Sequence, residues 1–68
     1  MKGIVFEIKV LNGKKIIGIH TTKQGTQYKI VPIHAQTAVE KYLKEGDRVS
    51  VTFEINHYKS MIDKISKE

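Results

Sequence analysis

The chain opens on a period-two run. In Ile4-Val5-Phe6-Glu7-Ile8-Lys9-Val10 the residues Ile4, Phe6, Ile8 and Val10 share one face, the spacing of a half-buried strand. Asn12-Gly13 follows, a pair that tolerates positive φ at both positions and so predicts a tight hairpin turn. A second strand is expected over roughly residues 14–22, with Gly18 as a bulge or a point of close backbone approach. Lys23-Gln24-Gly25-Thr26 reads as the next turn, and Tyr28 to Ile33 as a third strand whose Pro32 points to an edge or exit position.

The period then changes. Ala35, Ala38, Val39, Tyr42 and Leu43 fall at helical spacing, one apolar stripe on a short helix that makes Tyr42 structural. Thr37 with Glu40 three residues on fits a capping box, and Gly46 stands where a helix end favours a left-handed residue. From Asp47 to Ile55 alternation returns, with Val49, Val51, Phe53 and Ile55 inward. Asn56-His57-Tyr58 reads as a turn and Lys59 to Ile65 as a last strand with blurred alternation, before a frayed Ser66-Lys67-Glu68 tail.

Strand, strand, strand, short helix, strand, strand is an all-β order in a single domain, residues 1–68. Five strands in so short a chain predict a small barrel, because closure removes exposed edges. One short helix between strands three and four favours an OB-fold-like barrel over an SH3-like one. The ten isoleucines and the valines supply the core, and with no cysteine neither disulfides nor thiolate ligands can help. No apolar run approaches the ~20 residues that span a bilayer, and Met1-Lys2-Gly3 leads into a strand without a signal-peptide core. The expectation is a cytoplasmic protein with no membrane contact, a monomer or weak dimer.

Charge sharpens the picture. The formal net charge is +5, and residues 1–34 hold six lysines against the single acid Glu7, while the second half balances. A surplus confined to the first three strands predicts a polyanionic partner.

Leu43-Lys44-Glu45-Gly46-Asp47-Arg48-Val49-Ser50-Val51 resembles the lead-in to strand four in cold-shock domains and in bacterial translation initiation factor 1. Met1-Lys2-Gly3-Ile4-Val5 is similar to the opening of a cold-shock domain. The resemblance implies an OB-fold and single-stranded nucleic acid as ligand. Cold-shock motifs on strands two and three are degenerate here. Lys15, Gly18 and Val31 fit them, aliphatics stand where stacking aromatics would, and Glu7 lies near the place of the strand-one tryptophan. No multi-ring platform on strands two and three is therefore expected.

Candidate chemistry follows from these readings. Clustered lysines bind phosphates through counterion release, which nominates Lys9, Lys14, Lys15, Lys23 and Lys29. Phe6 and Phe53 share the phase of the core aliphatics, which leaves Tyr28 beside Lys29 and the trio His57-Tyr58-Lys59 as stacking and loop contacts. His20 and His34 are expected as polar or phosphate-contacting groups. The three histidines lie on three elements without paired spacing, so no metal and no cofactor are expected. No nucleophile with an oriented base, and no carboxylate pair, is legible, so the chain reads as non-enzymatic. The leading expectation is a module that binds single-stranded RNA or DNA. The alternative is an adaptor docking on an acidic protein surface, for which exposure of Ile17 and Ile19 would be the sign.

Overall fold

Backbone chemistry at the turns sets the strand order. Asn12 and Gly13 take φ of 52° and 73°, so β1 (Lys2–Leu11) reverses directly into β2 (Lys14–Thr21). Gly25, at φ 66°, opens β3 (Gly25–Pro32). The Thr21 hydroxyl holds that turn, accepting from the Gln24 N–H at 2.9 Å and donating to the Gly25 carbonyl at 2.7 Å. A 3-10 turn (Ile33–Ala35) and a short helix α1 (Ala38–Tyr42) lead on to β4 (Arg48–Ile55) and β5 (Ser60–Lys67). This computed structural model describes residues 1–55 and 60–68. The predicted turn at 56–58 and the candidates His57, Tyr58 and Lys59 lie outside the described residues.

The strands form one antiparallel sheet in the order β3-β2-β1-β4-β5. The expected closure into a barrel is not what the described strands do. β3 and β5 remain the two edges and share no ladder; they are bridged by a side chain, Lys29 Nζ donating to the Asp63 carbonyl at 2.8 Å. Pro32 ends an edge strand, where its missing N–H costs no ladder bond.

Two bulges decide which side chains reach the core. Val5 pairs with Ile19 and Glu7 with Gly18, so Phe6 is an extra residue on β1. Val5 is therefore fully buried, Ile8 packs against the core three residues later, and Ile4 is exposed. The single face predicted for Ile4, Phe6, Ile8 and Val10 is split: Ile4 and Phe6 lie on the outer side, and Val10 is exposed at the strand's end. In the second bulge Val51 pairs with Ile65 and Phe53 with Ile62, three steps on β5 facing two on β4. The spare residue brings both Ile62 and Ile65 inward, which accounts for the blurred alternation.

Ile17, Ile19, Val49 and Val51 complete the core with Val5, Leu43, Ile62 and Ile65. Ile55, expected inward, is exposed. The tail is ordered rather than frayed. Lys67 pairs with Val49, Ser66 with Ser50, and the Glu68 N–H donates to the Arg48 carbonyl at 3.0 Å. Helix α1 begins at the predicted capping box on Thr37 and Glu40 but ends at Tyr42. Gly46 takes its positive φ four residues later, in the turn that clasps β1 through the Gly46 N–H and the Val5 carbonyl at 2.7 Å. Glu40 is the one buried residue of so short a helix, and Tyr42, expected on the apolar stripe, is 72% exposed.

Candidate nucleic-acid interface

The outer face of β1–β3 carries a ring cluster that alternation alone does not reveal. Because Phe6 occupies the bulge, its ring lies flat on His20, centroids 3.9 Å apart and planes 12° from parallel. Tyr28 meets Phe6 edge-on at 5.9 Å, the T-shaped geometry favoured by ring quadrupoles. The floor beneath them is Gly18, paired with Glu7 on one side and Tyr28 on the other. A Cβ at Gly18 would stand 2.8 Å from Phe6 Cζ and 3.1 Å from Tyr28 Cε1. Glycine is there to let two rings lie on the backbone. His20 is held by a 3.0 Å hydrogen bond between Nδ1 and Thr26 Oγ1. Tyr28 is 52% exposed, and the half-buried Ile16 with the exposed Ile30 extends the strip along β2 and β3. The expectation that Phe6 belongs to the core is corrected by this arrangement: Phe6 lies outside the buried cluster and packs on His20 and Tyr28.

The lysines divide into two groups. Lys9, Lys14 and Lys23 are exposed as predicted, Lys9 within 3.6 Å of Glu7 and Lys14 and Lys23 without an ion pair among the described residues. Lys2, which is not among the lysines nominated from the sequence, is also exposed, 3.8 Å from Glu68. Lys15 and Lys29 belong elsewhere. Lys15 shares the phase of Ile17 and Ile19, is only 8% exposed, and its ammonium donates to the Glu40 carbonyl. Lys29, opposite Ile17 in the ladder, places Nζ 2.6 Å from Glu40 Oε2. Both are turned into the fold, so neither ammonium faces a phosphate on the outer surface.

Glu40 thus has two structural partners and is itself 2% exposed. Its carbonyl would bond the Lys44 N–H if α1 continued, but that N–H donates to Asp47 Oδ2 at 2.9 Å. Lys15 satisfies the carbonyl left over at the helix end. Burial alone would raise the Glu40 carboxyl. The Lys29 hydrogen bond, the Thr37 backbone N–H, the Lys29 charge and the Thr37 side chain outweigh it and hold the group below its ordinary value.

His34 is exposed on the 3-10 turn, away from the ring cluster's ladder positions. Ile17 and Ile19 are both fully buried, so the aliphatic outer surface that would have marked a protein adaptor at those positions is absent. Among the described residues no helix is long and apolar enough to cross a membrane. No family model matches this chain, and no curated protein and no solved structure matches it either.

Proposed function

We propose that this chain is a non-enzymatic module that binds single-stranded nucleic acid, RNA or DNA, on the outer face of β1–β3. The observation that carries the reading is the Phe6–His20–Tyr28 cluster laid over Gly18, with exposed lysines on β1, on β2 and in the β2–β3 turn. Rings that offer a face to solvent stack on bases without regard to sequence, at ~1–3 kcal/mol per base. Lysines beside them add salt-sensitive phosphate contacts. The strand order, a five-stranded curl open along the β3–β5 seam with one helix after β3, supports an OB-like, partly open barrel, in keeping with the resemblance to cold-shock domains and initiation factor 1.

With four exposed lysines in the first half rather than six, affinity is weak and falls steeply with salt. Fluorescence anisotropy of a labelled single-stranded oligonucleotide at ~50 mM salt, repeated at rising salt, tests this. Binding that weakens linearly in log–log form is expected; absence of binding, or indifference to salt, contradicts it.

A second reading, an adaptor on an acidic protein, draws on Ile30, 59% exposed, and on Leu11, 58% exposed, beside Lys14. Substituting Ile30 by serine separates the two. It leaves oligonucleotide binding within about twofold if the rings and lysines carry affinity, and abolishes partner capture if an aliphatic patch does.

A further inference from the structure

We infer, resting on the reading just proposed, that the bound single strand runs along β2, from the β1–β2 hairpin to the β2–β3 turn. Its phosphates are held at the two ends, and bases lie on the rings between. The ladder registers place the charges. At the hairpin end, Leu11 pairs with Lys14 and Lys9 with Ile16, which puts two lysines together on the outer face. At the opposite end, the Thr22 N–H donates to the Lys2 carbonyl at 3.1 Å, bringing Lys2 beside the turn that contains Lys23. Arg48 pairs with Ile4, itself opposite His20, and adds an exposed guanidinium at that end.

Between the two cation groups lie Gly18 with its rings and His20, and at the level of Gly18 the strands β1–β3 carry no outward cation. The one charge at that level is Glu7, opposite Gly18 and within 3.6 Å of Lys9 at the hairpin end. Lys29, the cation β3 could have supplied, is turned inward onto Glu40. A strand crossing the sheet at the level of the rings would bring phosphates to a carboxylate on β1 and to no cation on β3. A strand lying along β2 meets cations, rings, then cations.

Seven residue steps from Lys14 to Thr21 span roughly 24 Å at ~3.4 Å each. That is about seven nucleotides at a stacked spacing of ~3.4 Å.

Paramagnetic broadening in the 15N-labelled full chain tests the path. The probe is an oligothymidylate of about eight nucleotides carrying a nitroxide at its 5′ end in one sample and its 3′ end in another. Loss of amide signals confined to Asn12–Lys14 and to Thr22–Gln24 supports the inference, whether each label selects one end or both. Loss concentrated instead on mid-β3 around Tyr28 and on mid-β1 around Glu7, the two sides of the sheet at the level of Gly18, overturns it while leaving nucleic-acid binding intact. An unlabelled oligonucleotide that shifts no signal at all overturns the binding reading itself, and the path with it.

Discussion

At the residue scale, Gly18 is the position on which the outer face depends. Its missing Cβ lets Phe6 and Tyr28 rest on the strand, and the bulge at Phe6 swings a ring outward that strict alternation would bury. Gly18→Val is expected to push both rings off their seat, costing about 1–3 kcal/mol of stability. The ring-current shift of the His20 protons is expected to vanish with the stack. Urea unfolding and one-dimensional proton spectra check both. Tyr28→Ala leaves the fold intact, since the ring is half exposed, and weakens oligonucleotide binding by about 1–3 kcal/mol, roughly five- to over a hundredfold. Gly18 was legible in the sequence as a point of close approach. What approaches it was not, because a bulge is one extra residue whose position is decided by the partner strand.

At the element scale, α1 is too short to hold itself and is anchored by β2 and β3. The parity of Lys15 with Ile17 and Ile19 was a readable sign that this lysine points inward, as was that of Lys29 with Val31. A charge surplus counted by position along the chain conceals such parity and points both lysines at the surface. The turns at Asn12-Gly13 and before Gly25, the capping box and the edge position of Pro32 were legible because each rests on local backbone chemistry. The open β3–β5 seam was not, since strand count alone cannot say whether the last ladder forms. Lys29→Met leaves the buried Glu40 carboxylate unpaired and is expected to destabilise the protein by about 3 kcal/mol in urea unfolding. The pH dependence has a definite sign. The Glu40 pKa in the folded state lies below its ordinary 4.5, so its contribution is fully present above that value and is lost as pH falls through the folded pKa. Wild-type stability therefore drops on acidification below about pH 4.5, and Glu40→Gln, less stable at neutral pH, shows a shallower drop. Equal slopes in the two proteins would contradict the clamp.

At the scale of the whole molecule, the formal surplus of +5 overstates the charge offered to a ligand. Two of the six N-terminal lysines are folded onto Glu40, and the rest are gathered toward the two ends of β1–β2. The outer face of β1–β3 is a modest electrostatic surface with rings at its centre, and it is on this surface that the proposed sequence-tolerant, salt-sensitive attachment rests. The salt dependence of oligonucleotide binding, compared between wild type, Lys14→Gln, Lys23→Gln and Lys29→Met, tests that claim most directly. The account predicts that each of the first two substitutions reduces the slope of log K against log salt by about 0.7, the value of one phosphate contact on a single strand. Lys29→Met, where it remains folded, leaves the slope unchanged. A slope lowered by Lys29→Met but untouched by Lys14→Gln and Lys23→Gln would contradict it.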